Sequence, residues 1–197
     1  MAVATLGMPE NDMAATGICE HLRADVAGMS SLWCRMAILP AEGDSAARER
    51  AAHRRHGHGE GDAEVHEKII GAWRAGLVAI LCVGETQAQR QAGQAAEIVA
   101  AQLAASVPNG STADNLVVAY EPVWAIGTGL TATLEDIATM HATVRASIPA
   151  GARIVYGGSV NSQNAAGILG LAEVDGALVG GASLDAESFW AIARCCR

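Results

Sequence analysis

From Asp62 onward the chain alternates short, almost wholly apolar runs with longer stretches in which Ala, Glu and Gln separate spaced aliphatic residues. The runs Leu77–Val83, Leu116–Tyr120, Arg153–Tyr156 and Gly176–Val179 are bounded by Gly, Pro, Asn or Asp and read as buried strands. Between them, Glu64–Arg74, Gln87–Ser106, Leu134–Ser147 and Asn161–Leu169 read as helices. Strand and helix in regular succession is the pattern of βα units around a parallel sheet. No Pro- or Ser-rich linker interrupts it, so residues 1–197 are expected to form a single domain.

The first sixty residues carry less pattern. Cys34–Leu39 reads as a strand, Ala2–Leu6 as a weaker one and Glu20–Ala27 as a helix candidate. Pro40–Gly59 has no apolar period and is rich in Ala, Arg, His and Gly, which leaves a short helix or a long loop open. The count is six strands at most, about two units short of an eightfold (β/α) barrel of ~250 residues.

Composition narrows the classes. Half of the 197 residues are apolar, but only four Trp, two Tyr and one Phe supply aromatic volume, so the core is built from Ala, Val, Ile and Leu. A formal charge of −8 argues against nucleic acid as a partner, because that affinity rests on clustered Lys and Arg. The cluster Arg48–Arg55 is broken by Glu49, Ala51 and Ala52 and reads as a solvated face or loop. The cysteines Cys19, Cys34, Cys82, Cys195 and Cys196 follow no disulfide spacing, which points to a reducing compartment. No charged n-region with an apolar h-region, and no run long enough to span a bilayer, is present, so a cytoplasmic protein without a membrane partner is expected.

Candidate chemistry gathers at the strand ends. Glu121 follows the run Leu116–Tyr120 and belongs at a strand's C-terminal end, where parallel barrels place their catalytic groups. Pro122 fixes the backbone beyond it, and Gly127, Thr128 and Gly129 supply the freedom that a closing lid needs. Gly157-Gly158-Ser159 and Gly180-Gly181 each end an apolar run; alone, either pair reads as a tight βα turn, but after consecutive strands their N–H groups can converge on an anion. Trp124 and Tyr156 read as packing residues on their own.

The segment Ala119-Tyr-Glu-Pro-Val-Trp-Ala-Ile-Gly-Thr-Gly129 resembles the sixth-strand signature and lid of the triosephosphate isomerase family. Tyr156-Gly-Gly-Ser-Val160 resembles that family's seventh loop, Gly176–Leu184 its eighth strand and loop, and Cys82-Val-Gly-Glu85 the end of its fifth strand. His58-Gly-Glu60 with Asp62 and Lys68 looks like the start of the helix after its fourth strand, and Thr16-Gly17 with Ala24-Asp25 and Gly28 is faintly similar to its third loop and helix. The resemblance is strong over 57–197 and poor over 1–56, which suggests an N-terminally truncated chain.

The resemblance implies an incomplete (β/α) barrel with about six of eight units, and interconversion of dihydroxyacetone phosphate and glyceraldehyde 3-phosphate in glycolysis and gluconeogenesis, with no cofactor. It makes Glu121 the base that moves a carbon-bound proton between neighbouring carbons. It gives the phosphate to Gly127, Ser159, Gly180 and Gly181, and lid and hinge roles to Pro122, Val123, Trp124, Thr128 and Gly129. Tyr156 holds the closed lid and Glu85 steadies the open one. A triose phosphate or phosphate anion is the small-molecule partner, and a homodimer or other homo-oligomer is expected.

Two family features have no counterpart. The Asn-x-Lys motif of the first strand is missing, and Lys68, the only lysine, lies in a helical pattern and reads as structural. The family's Gly-His-Ser-Glu-Arg-Arg after strand four, whose His polarises the carbonyl, is replaced here: counting forward puts Ala41 at the histidine position, and counting back puts Ala51 there. His53, His56 and His58 match no metal-ligand spacing and read as an exposed His-rich loop, so no metal is expected. Residues 29–57 leave the family pattern while both flanks keep it, which suggests a reading-frame change or gene truncation that the coding DNA decides. The missing electrophiles imply impaired activity, or a non-catalytic relic or phosphate-binding oligomer.

Overall fold

The computed structural model describes residues 2–6, 37–40, 51–55, 61–125 and 130–196, the first three segments as backbone. Seven strands, β1 (Ala2–Leu6), β2 (Ala37–Pro40), β3 (Ala51–Arg55), β4 (Val78–Val83), β5 (Leu116–Tyr120), β6 (Arg153–Tyr156) and β7 (Gly176–Val179), form one sheet in the order β2-β1-β7-β6-β5-β4-β3. Every pairing is parallel. The helices among the described residues are α1 (Asp62–Arg74), α2 (Gln87–Gln91), α3 (Ala95–Ser106), α4 (Leu134–Ser147), α5 (Ala165–Leu169) and α6 (Ala186–Ala193). The first strand pairs with the last, as in a barrel, while β2 and β3 end the sheet among the described residues: an incomplete (β/α) barrel.

The sheet has seven strands where the sequence reading counts six at most, and four elements differ from that reading, among them the helix expected over Asn161–Leu169, which spans Ala165–Leu169. The stretch read as a short helix or long loop contains β3, whose ladder with β4 runs from Ala51 opposite Val78 to Arg55 opposite Cys82. Its Ala-Ala-His-Arg-Arg sequence has no apolar period to announce it; the parallel partner β4 supplies what the local pattern lacks. The strand expected at Cys34–Leu39 is described at Ala37–Pro40. The single helix expected over Gln87–Ser106 is two, because Gly93 stands at φ 74°. Its N–H bonds the Arg90 carbonyl and the next N–H bonds Gln89, a Schellman stop that only a residue at ease in the left-handed region accepts. The helix candidate at Glu20–Ala27 lies outside the described residues.

Alternation along the strands splits the core in two. Ala79, Leu81, Val83, Leu116, Val118, Tyr120, Ile154 and Tyr156 face the helices. Ile80, Cys82, Val117, Ala119, Val155 and Leu178 form a separate cluster on the other face, where a barrel's interior lies. On α4, Arg145 fastens helix to sheet: its Nε donates to Glu173 at 2.9 Å, its Nη2 to Asp175 at 2.6 Å and its Nη1 to the Ala152 carbonyl. Asp175 also accepts from the Ile154 amide at 2.8 Å, so one carboxylate ties α4 to β6.

Candidate active site

The β5 pattern places Glu121. Val117 and Ala119 point to the inner cluster, and Glu121, two residues on, shares their parity just past the C-terminal end of the strand. Its amide donates to the Val83 carbonyl at 2.8 Å, and the Gly157 amide donates to the Tyr120 carbonyl at 2.8 Å, so the ladder continues beyond the formal strands and holds Glu121 between β4 and β6. Glu121 is only 5% exposed. A Cβ at Gly157 would overlap the Glu121 Cγ and stand 3.0 Å from Oε1, so the carboxylate arm lies flat over the end of β6. Gly157 is glycine because Glu121 occupies the space of a side chain there.

Residues of the opposite parity build a second, helix-facing group. Glu85 is fully buried and accepts from the Tyr120 hydroxyl at 3.2 Å, from Trp124 Nε1 at 3.0 Å and from Arg90 Nη1 at 2.9 Å. Burial, then the Glu85 charge, pushes the Tyr120 hydroxyl well above its ordinary pKa, which keeps it a neutral donor. Arg90 also lies over the Trp124 ring, 5.2 Å from its centroid, and pairs with Asp136 at 2.5 Å. Asp136 is held below the usual carboxylate range by the Thr133 hydroxyl and then by Arg90. Thr133 and Asp136 form the capping box that starts α4, so Arg90 connects Trp124 to the first turn of that helix.

The loops after β6 and β7 complete the rim. The Ser159 hydroxyl donates to the Ala125 carbonyl at 2.9 Å, and Asn164 Nδ2 donates to the Ser159 carbonyl at 2.9 Å, which fixes the loop against the segment that follows Glu121. A Cβ at Gly158 would collide with the Tyr156 hydroxyl, which is buried and faces the backbone of Ala132 outside ordinary hydrogen-bond geometry. Past β7, Ser183 bonds the Gly180 carbonyl through both its amide, at 2.8 Å, and its hydroxyl, at 2.6 Å, forming the 3-10 turn Gly181–Leu184. Among the described residues a Cβ at Gly180 or Gly181 meets nothing within 4 Å, so packing against them does not demand glycine there.

Of the residues singled out from sequence, Glu121, Pro122, Val123, Trp124, Tyr156, Ser159, Glu85, Gly180 and Gly181 all stand at the C-terminal ends of β4 to β7. Gly127, Thr128 and Gly129 lie outside the described residues. The sequence reading passed over Arg90 and Asp136 and gave Gly84 and Gly157 no link to Glu121, because these roles depend on contacts between separate βα units.

A matching family model is described as triosephosphate isomerase and spans residues 52–196. The chain belongs to the triosephosphate isomerase family. It is 58% identical over 152 residues to a triosephosphate isomerase of Afipia carboxidovorans, covering 74% of this chain and 61% of that protein. It therefore spans about three fifths of that relative's length. A triosephosphate isomerase of a Bradyrhizobium species is 52% identical over 183 residues, covering 89% of this chain and 72% of the relative, a match that reaches well into the first sixty residues. The crystal structure of triosephosphate isomerase from Bartonella henselae superposes with a TM-score of 0.76 at 31% identity, covering 98% of this chain and 97% of that one. No helix among the described residues is long and apolar enough to cross a membrane.

Beneath the rim, His141 of α4 is fully buried, with its ring edge-on to Tyr120 at 6.0 Å and tilted against Tyr156 at 6.4 Å. Its Nδ1 lies 2.9 Å from the Glu173 carbonyl, which assigns the proton to that nitrogen in the neutral ring. Burial pushes its pKa down, and Arg145 adds to this, against the Glu173 carbonyl and the charges of Asp175 and Glu173. The unfolded chain takes up this proton as pH falls through about 6.5 while the folded chain does not, so stability is full above that pH and declines below it. The expected slope is at most about 1.4 kcal/mol per pH unit. Urea midpoints of wild type and His141→Gln between pH 7.5 and 5.5 measure it: the gap between the two proteins is expected to change with pH, and a constant gap contradicts the assignment.

Proposed function

We propose that the chain acts on triose phosphates as an aldose-ketose isomerase of reduced power, with Glu121 as the base. The observation that carries this is the buried carboxylate of Glu121, laid over Gly157 at the end of β6, the strand that neighbours β7 in the sheet. A base in that position takes a proton from one carbon and returns it to its neighbour, and a site largely closed to water keeps the enediol from side reactions. Gly127, Ser159, Gly180 and Gly181 hold the phosphate through backbone groups, which places the reacting carbons rather than activating them. Trp124 and Glu85 steady the open lid, and Tyr156 the closed one, with Pro122, Val123, Thr128 and Gly129 as hinge and lid. The expected setting is glycolysis and gluconeogenesis in the cytoplasm, as one domain without a cofactor.

A second reading, an anion-binding relic, is favoured by the absence of an Asn-x-Lys motif and of a histidine at either position where the family's would fall. Both readings require the phosphate grip. Titration of the labelled protein with millimolar inorganic phosphate is expected to move the amide signals of Ser159, Gly180 and Gly181 while those of α1 stay fixed. No movement at these residues refutes the grip and both readings with it.

The chain is further expected to self-associate as a homodimer or larger homo-oligomer. The terminal strands β2 and β3 carry unpaired backbone groups on their outer edges among the described residues, and pairing with a second copy satisfies them. Light scattering over a wide concentration range checks this; a cooperatively unfolding monomer at every concentration contradicts it.

A further inference from the structure

We propose that Gln102, on α3, is a positioning residue for Glu121 and acts through the backbone of Gly84. The proposal rests on the reading of Glu121 as the base. Gln102 grips both backbone groups of Gly84: its amide oxygen accepts from the Gly84 N–H at 2.9 Å, and its amide nitrogen donates to the Gly84 carbonyl at 3.1 Å. Gly84 is the first residue past β4, and among the described residues the ladder between β3 and β4 ends two residues before it, at Arg55 and Cys82. A strand neighbour would offer one donor and one acceptor there. The planar amide of Gln102 carries both and takes the place of that neighbour.

The link to Glu121 is direct. A Cβ on Gly84 would overlap the Glu121 carbonyl oxygen and stand 2.6 Å from its carbonyl carbon and 3.2 Å from the Pro122 nitrogen, so the Glu121 peptide rests on Gly84 with no atom between. The residues on either side lock the same register: the Val83 carbonyl accepts from the Glu121 amide at 2.8 Å, and the Glu85 carbonyl accepts from the Val123 amide at 3.0 Å. Gly157 bounds the side chain from the opposite flank. Only the backbone flank is adjustable, because Gly84 has no side chain of its own to pack and depends on Gln102 for both of its polar groups. A shift of Gly84 passes straight into the base, and proton abstraction tolerates little misplacement.

The test uses the full chain labelled with ¹³C at glutamate Cδ, the Glu121 signal being assigned by its loss in Glu121→Gln. Gln102→Met keeps the length and removes both hydrogen bonds; Gln102→Glu keeps the acceptor and removes the donor. In Gln102→Met the Glu121 signal is expected to shift or split while that of exposed Glu187 stays, and kcat for triose phosphate to fall about 10- to 100-fold with KM changed less than about twofold. Gln102→Glu is expected to fall between the two, and decides by the same signal if the Met variant does not fold. A folded variant in which the Glu121 signal is unmoved overturns the proposal, whatever happens to turnover, since a merely structural amide lowers stability without touching that carboxylate. Unchanged turnover in Glu121→Gln instead overturns the reading of Glu121 as base and leaves the displacement by Gln102 to be judged on the signal alone.

Discussion

Turnover of triose phosphate by the purified chain is expected to run about 10⁴- to 10⁶-fold below that of a complete family member, and Glu121→Gln to abolish what remains. Each preorganised electrophile aimed at a developing oxyanion contributes about 10²–10³ in rate. On the family resemblance read in the sequence, two of them, the lysine after the first strand and the histidine after the fourth, find no counterpart in these residues. What is left is the buried carboxylate of Glu121, held between β4 and β6, and the loops proposed to hold the phosphate. Such a site still gains from proximity, because a gripped phosphate fixes the carbon chain beside the carboxylate. A coupled assay at saturating substrate measures both effects. Near-complete turnover would mean that other groups stand in for the missing pair, and activity surviving the loss of Glu121 would mean that the base lies elsewhere.

Gly84→Ala is expected to destabilise the fold by about 3 kcal/mol or more, at the upper end of what overpacking costs. The added methyl group runs into the carbonyl of Glu121, and that carbonyl cannot rotate away. Its own residue donates to Val83, and Val123 two residues on donates to Glu85. The obstruction is backbone on both sides, so relief means breaking the ladder between β4 and β5 at its C-terminal end. Gly181→Ala is the control, since among the described residues a Cβ there meets nothing within 4 Å; its urea midpoint is expected to stay within about 0.5 kcal/mol of wild type. Equal midpoints for the two alanine variants would show that the end of β4 yields more readily than its contacts imply.

The sequence alone determined the parts whose signal is local. Unbroken apolar runs bounded by Gly, Pro, Asn or Asp marked β4 to β7, because strands buried on both faces have no polar side to show. The end of the run Leu116–Tyr120 put Glu121 at a strand terminus, and the surrounding motif carried the family. The break at Gly93 was also locally encoded, by one left-handed glycine inside an otherwise helical composition, yet helix-forming neighbours on both sides masked it.

Tertiary structure decided everything that depends on which strand lies beside which. Ala51–Arg55 has no strand-like alternation and pairs only because β4 presents a parallel edge to it. Arg90 finds Glu85, Trp124 and Asp136, and Gln102 finds Gly84, across separations that no periodicity encodes. In the sequence Gly157 reads alone as a turn glycine and Gly84 only as part of a family motif, and their reason is instead the bulk of Glu121 pressed against both. Local pattern reports what a residue does to its own backbone; the space left by a residue from another unit exists only once the sheet has set the register between them.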